Sequence, residues 1–301
     1  MIERVSTFGL SSLMLRSATT IQSRLAEKQT ASASGLVTDT YANLSGQAAR
    51  MISLETAMAR TTAWSDNTQT ALDRANAMYD AVGDVIDALT TLRTTLGAAT
   101  ADASGTTDYA AIGTGTLEDL AALMNLRVDG RYLFAGSRSD TAPVDTAALA
   151  TPSIPSTADT AYYLGDGETM SVRTSDQQVL DYGVTADGAG FEKALRAANI
   201  LAHVDNADLD ADSLTEAYDL ATEALDALLS VQGRLGLSAG RLEDALARQD
   251  TASSLMSTMV KDIKAVDVAA VSVQIAQYET ALQASYSALA KVTGLSLTDY
   301  L

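Results

Sequence analysis

Few residues in this chain are equipped for chemistry. One histidine, His203, stands alone in 301 residues, and there is no cysteine. Disulfide frameworks, zinc–thiolate sites, catalytic thiols and any mechanism with two imidazoles are therefore excluded. His203 falls near the end of a helix-like segment, just before Asp205, and reads as a surface or C-cap residue. Gly236-Leu-Ser238-Ala-Gly240 spells a nucleophile elbow, which needs a strand before the serine and a histidine after it. Here helical sequence precedes it and His203 lies upstream, so the stretch reads as a flexible break between helices. Gly113-Thr-Gly115 opens like a dinucleotide loop, but Glu118 takes the third glycine position and no strand precedes it. Asp205, Asp208, Asp210 and Asp212 alternate as calcium ligands do, yet the central glycine and closing glutamate of an EF-hand are missing. They read as a solvated acidic turn. The expectation is a non-enzyme with no cofactor and no metal.

The composition points elsewhere. Hydrophobic residues make up 47% of the chain, enough for a sizeable core, but only 3 Phe, 11 Tyr and 1 Trp occur. With 3 Pro and abundant Ala, Thr, Ser and Leu, this suits long helices with thin, small-residue seams. The net charge of −18 is unevenly placed: residues 1–60 carry +2, residues 261–301 carry −1, and the middle carries −19. Such acidity argues against a nucleic-acid partner, and no apolar run is long enough to cross a membrane. The short run Phe8–Leu15 reads as the start of a helix rather than a signal-peptide core. Near-neutral ends are cheap to desolvate, whereas the acidic body stays in water.

The elements follow from periodicity. Val271, Ile275, Tyr278, Leu282, Ser285, Leu289 and Val292 follow a 4-3-4-3-4-3 spacing, a heptad seam with one polar member. Leu242, Leu246, Gln249, Ser253, Met256, Val260 and Ile263 keep the same rhythm one residue out of register. A bend or skip is therefore expected between Ile263 and Val271. Met14, Ala18, Ile21 and Leu25 give a matching seam at the N-terminus. A loop with extended pieces is expected from Ser34-Gly35 to Gly46. A second long helix follows over 47–96, with its seam at Leu72, Ala75, Tyr79, Val82, Ile86 and Leu89. Residues 101–115 read as a helix end and loop, and Thr116-Leu-Glu-Asp119 as the cap of a helix reaching Val128.

Residues 138–190 hold all three prolines and three short strand-like runs, 162–164, 170–174 and 179–184. Gly165-Asp-Gly167 gives a hairpin signal between the first two. Phe191–His203 returns to helix. Ser213-Leu-Thr-Glu216 reads as a capping box for a long arm, striped by Leu214, Tyr218, Ala221, Leu225 and Leu228, which Gly233, Gly236 and Gly240 interrupt or loosen. The fold class is mainly α: long paired, coiled-coil-like terminal helices, a helical bundle domain and a small β-rich insertion domain. The expected division is 1–40 with 265–301, 41–137 with 190–264, and 138–189. Seams of this kind are marginal alone and need partners. The two ends supply one for each other, and leftover apolar surface favours self-assembly.

Two stretches carry a family resemblance: Gly130-Arg-Tyr132-Leu133-Phe134-Ala-Gly136-Ser137, and the tail Ala281-Leu-Gln-Ala-Ser-Tyr286 with Leu295-Ser-Leu-Thr-Asp-Tyr300-Leu301. Together they resemble the flagellin-like family of bacterial flagellar axial proteins, and the tail is most similar to the branch that joins hook to filament. The likeness covers 1–137 and 190–301. It implies an inner tube of paired terminal helices, an outward insertion, and type III export without a cleaved signal peptide, followed by extracellular assembly on the flagellum. The implied partners are further copies of the chain, the neighbouring hook-associated junction protein, flagellin and an export chaperone, with no nucleic acid and no membrane. Met14, Ile21, Leu25, Val271, Ile275, Tyr278, Leu282, Tyr286, Leu289 and Val292 are the residues expected to carry assembly. The alternative is flagellin itself. One departure stands out: Ser34–Asn43 lacks the prolines that the family commonly carries in its first loop.

Overall fold

The computed structural model describes residues 3–37, 46–99 and 107–294. Six helices dominate the described residues: α1 (Glu3–Ser34), α2 (Ala48–Ala99), α3 (Tyr109–Met124), α4 (Ala189–Ala202), α5 (Ala211–Lys264) and α6 (Val268–Gly294). Four short strands, β1 (Arg127–Val128), β2 (Arg131–Tyr132), β3 (Ser171–Arg173) and β4 (Val179–Asp181), form two antiparallel hairpins. The chain divides into two compact units. One joins residues 1–59 to 253–301, and the other is the continuous stretch 60–252.

In the first unit α1 and α6 pack on each other. The residues after α1 meet those before α6: Leu36 bridges Ala265, the Val37 N–H donates to the Lys264 carbonyl at 2.8 Å, and the Val266 N–H donates to the Gly35 carbonyl at 3.0 Å. The end of α1 thus lies beside the start of α6, and the two helices run antiparallel. The expected skip between the two C-terminal seams is the break between α5 and α6. Asp267 starts α6 by accepting from the Ala270 N–H at 3.0 Å, as an N-cap aspartate does.

The second unit has the larger core. Met78, Val82, Val85, Leu89, Leu92 and Leu96 of α2 are buried with Ala217, Ala221, Ala224, Leu225, Leu228 and Leu235 of α5, and with residues of α3 and α4. The buried line on α2 runs through Met78 and Val85. It leaves Tyr79 40% exposed and Ile86 half-buried, so the sequence seam is right in period but one residue off at those two places. A smaller cluster joins Ala71, Leu72 and Ala75 to Tyr182, Ala239 and Leu242. Gln249, buried in α5, donates to Thr68 of α2 at 3.2 Å and to the Thr174 carbonyl at 2.8 Å.

Several local expectations are corrected. Gly233, Gly236 and Gly240 do not break α5, which is continuous for 54 residues. Packing overrides their low helix propensity: Leu235, Ala239 and Leu242 are buried between and beside them. The third helix starts at Tyr109, seven residues before the expected cap and inside the stretch read as loop. Asp108 caps it by accepting from the Ala111 N–H at 3.0 Å, and Asn206 accepts from the Tyr109 N–H at 3.0 Å. That helix ends at Met124 rather than Val128, because a hairpin follows. Its turn is Asp129-Gly130, both at positive φ (52° and 75°), as a two-residue hairpin turn of this twist requires. The Ser213–Glu216 capping box does not form. Asp210 caps α5 instead, and Glu216 accepts from the Ser156 N–H at 2.7 Å.

Gly165-Asp-Gly167 makes no hairpin. Tyr163 bridges Val144, and the hairpin of this region is β3–β4, which falls within the second and third predicted strands.

Gly113, the first glycine of the dinucleotide-like triplet, lies where α3 meets α4. A Cβ there would sit 2.3 Å from the Ala202 nitrogen and 2.5 Å from the Leu201 carbonyl carbon. These backbone atoms cannot swing aside. Gly113→Ala is expected to destabilise the second unit by about 1–3 kcal/mol, the usual range for overpacking, read as a lowered denaturant midpoint. An unchanged midpoint would show that α3 and α4 separate freely.

Candidate assembly surfaces

The terminal pair brings together most residues singled out from the two ends. On α6, Val271 is 5% exposed, and Ile275, Tyr278, Leu282, Ser285, Leu289 and Val292 are all partly covered. On α1, Ala18 and Ala31 are buried, and Met14, Ile21 and Leu25 are partly covered. Alanine at two buried seam positions keeps the helices close, as thin seams demand. Tyr286 stands off this line and is 48% exposed. Leu242, Leu246, Gln249, Ser253, Met256, Val260 and Ile263 are likewise buried or partly covered. Tyr300 and Leu301 lie outside the described residues, as does most of the loop that lacks the family's prolines.

The pair does not use all of its apolar surface. Leu10, Leu13 and Leu15 of α1, and Val268, Val273 and Tyr286 of α6, are each at least 46% exposed. A stable monomer rarely leaves this much apolar side chain in water along two adjacent helices. Of these, the sequence names Tyr286 through the tail motif; periodicity does not find the other five, because they lie off the seam. Their signal was apolar type at positions where a two-helix pair calls for polar ones.

The motif before the insertion is a structural hub. Leu133, Phe134 and Ala135 are fully buried, and Phe134 meets Phe191 of α4 edge-on at 5.6 Å between ring centres. Tyr132 packs beneath the Arg127 guanidinium at 4.9 Å. The Tyr162 hydroxyl donates to the Ala186 carbonyl at 2.8 Å, and the Ala186 N–H donates to the Phe134 carbonyl at 3.0 Å. Burial, with Glu192 and Asp187 nearby, pushes the Tyr162 phenol above its usual range. Gly136 sits at φ 69° against Asp166. Asp166 accepts from the Ser137 N–H at 2.8 Å and from the Ser137 hydroxyl, while the Tyr163 hydroxyl donates to the Asp166 carbonyl at 2.6 Å.

The remaining chemical candidates have structural jobs. His203 is the C-cap of α4, its Nδ1 2.9 Å from the Asn199 carbonyl. Asp205 accepts from the Ala207 N–H, and Asp210 takes the Ser213 hydroxyl at 2.7 Å as well as backbone N–H groups. Ser238 lies inside α5. Among the described residues no group of three or more His, Asp or Glu is placed to hold a metal ion, and no helix is long and apolar enough to cross a membrane.

Two of these carboxylates set an acid limit. The Ser213 hydroxyl holds Asp210 below the ordinary value of 3.8, and the Ser137 hydroxyl, then its N–H, do the same for Asp166. A depressed folded value stabilises the fold above the unfolded value, and that contribution is lost as pH falls through the folded one. These groups are therefore expected to leave the melting temperature unchanged from neutrality to about pH 5 and to lower it modestly as pH falls through and below 3.8. Asp166→Asn should flatten part of that fall. A variant with the same acid profile as the parent would remove Asp166 from the account.

The pair formed by α1 and α6 thus leaves apolar side chains facing outward. Two family models fit the chain: residues 5–139 match the bacterial flagellin N-terminal helical region, and residues 218–301 match the C-terminal helical region. The chain belongs to the bacterial flagellin family; it is a structural, non-enzymatic flagellar component. No curated protein matches it in sequence. Its fold is shared with a proposed flagellar hook-associated protein from Vibrio parahaemolyticus (13% identity, TM-score 0.55, 71% of this chain and 96% of that one). It is also similar to flagellar hook-associated protein 3 from Legionella pneumophila (13%, 0.54, 70% and 98%). Bacillus cereus FlgL is a third such structure (16%, 0.50, 67% and 99%).

Proposed function

We propose that this protein forms the junction between hook and filament, assembling through its terminal helices after type III export. The observation that carries assembly is the α1–α6 pair, with Leu10, Leu13, Leu15, Val273 and Tyr286 left in water. The likeness to hook-associated structures and the tail motif support the junction role. In this reading residues 1–40 with 265–301 form the inner tube, 41–137 with 190–264 a bundle, and 138–189 an outward insertion. Met14, Ile21, Leu25, Val271, Ile275, Tyr278, Leu282, Leu289 and Val292 hold the pair, and Tyr286 faces a neighbouring subunit. The neighbours are the adjoining junction protein on one side and flagellin on the other, with a chaperone before export. Electron microscopy of cells lacking the gene is the test. Hooks without filaments, with flagellin shed into the medium, are expected, and normal filaments would sink the junction role.

The match to flagellin models fits a filament subunit as well. A filament subunit grows long filaments from seeds alone, whereas a junction protein stops or needs its neighbours.

A further inference from the structure

The second unit is strongly acidic: residues 60–252 hold 30 acidic and 12 basic side chains. Yet one surface groove within it is basic. Two adjoining sections, of about 200 and 400 Å³, share Arg74, Ser171 and Tyr182. Arg131 lines the first section, Arg173 lines the second, and no carboxylate lines either. Asp181 stands across the β3–β4 hairpin from Ser171, and Asp166 is held by Ser137, but neither is part of the lining.

The three guanidiniums are short of anionic partners. Among the described residues none of them is in an ion pair. Arg173 gives one N–H to the Asp176 carbonyl, and the buried Arg74 Nε–H has no acceptor. A buried charged donor left unmet is unfavourable, and an arriving carboxylate relieves it with short, charge-assisted bonds. Elsewhere on the same unit, Asp80, Asp84 and Asp87 are exposed on α2, spaced so that they share one face of the helix. They span about 10 Å at the helical rise, and among the described residues they too lack ion pairs.

We infer that the groove lined by Arg74, Arg131 and Arg173 receives the Asp80–Asp84–Asp87 face of a second copy of this chain. The contact rests on the reading of the chain as a self-assembling subunit. It is heterologous, a groove on one copy meeting a stripe on the next, which is the kind of contact that repeats along rings and helical assemblies. It steers and registers copies that the terminal helices hold.

The absence of native cysteine makes the test clean. Two full-length variants, Ser171→Cys and Asp84→Cys, are purified, mixed at high concentration and oxidised. A disulfide-linked adduct of two chains is expected, its yield about tenfold above that of either variant alone, as a desolvated charge contact allows. Adding Arg74→Glu and Arg173→Glu to the first variant should remove the excess. Adding Asp80→Lys and Asp87→Lys to the second should then restore it. No excess in the mixture, an excess indifferent to the charge reversals, or preferential adducts of one variant with itself would each overturn the contact, as would a groove that binds only a free acidic oligosaccharide. Circular dichroism confirms that each variant folds. The same mixture made without residues 270–301 separates the two readings: loss of assembly there with no charge effect in the full chain would leave the helix-pair reading standing and this one refuted.

Discussion

A chain ending at residue 269 is expected to lose assembly entirely while residues 60–252 keep their fold. The truncation removes all but the first two residues of α6, the helix that packs on α1. A large apolar side chain fully enclosed in such a seam contributes about 1.5–3 kcal/mol. Several are lost at once, and a lone helix of this kind is marginal in water. None of the buried residues of the larger core lies beyond residue 252. Thermal unfolding of the truncated chain should retain the main transition, while sedimentation and electron microscopy show no polymer. Polymer of normal appearance from the truncated chain would refute the seam as the basis of assembly.

Gly136→Ala is expected to have the largest single-residue effect. The residue is at φ 69°, a conformation that penalises any Cβ. The added carbon would also lie 2.4 Å from the Asp166 carbonyl oxygen and 2.2 Å from its Oδ1. The side-chain oxygen can rotate away only by giving up Ser137, and the carbonyl is already fixed by the Tyr163 hydroxyl. Strain and overpacking together should cost about 3–5 kcal/mol, seen as a fall in the urea midpoint of the 60–252 unit. Ser137→Ala, which removes only the hydroxyl, should cost much less. If the two variants were equally stable, steric exclusion at Gly136 would not be what fixes the motif.

Long-range periodicity in the sequence was a sound guide, and local chemistry was a poorer one. The 4-3 rhythm of Val271–Val292 and of Leu242–Ile263 marks covered positions throughout, because a heptad samples one helix face repeatedly and single errors average out. The same averaging hides offsets of one residue, which is why periodicity places Tyr79 on a seam that Met78 occupies. Caps depend on one side chain and its rotamer. Ser213 and Glu216 had the right spacing, but Asp210 was nearer and Glu216 was drawn to Ser156. By residue type Gly165 suits a turn, whereas its place is set by the Tyr163 hydroxyl and the Ala135 carbonyl, which leave no room for a side chain. Asp129-Gly130 is a direct two-residue hairpin signal after α3. The arginine groove could not be read in advance, since Arg74, Arg131 and Arg173 meet only through tertiary structure.

The unbroken course of α5 through Gly233, Gly236 and Gly240 has a kinetic side. Each glycine weakens a helix interior by about 1 kcal/mol relative to alanine, so this stretch is helical because neighbours hold it. Amide protons over 233–240 should therefore exchange faster than those over 217–228, where Ala217, Ala221, Ala224 and Leu228 are fully buried. Equal protection along both stretches would contradict this. Under the proposed export as an extended chain, this stretch is where unwinding of α5 starts with the least force.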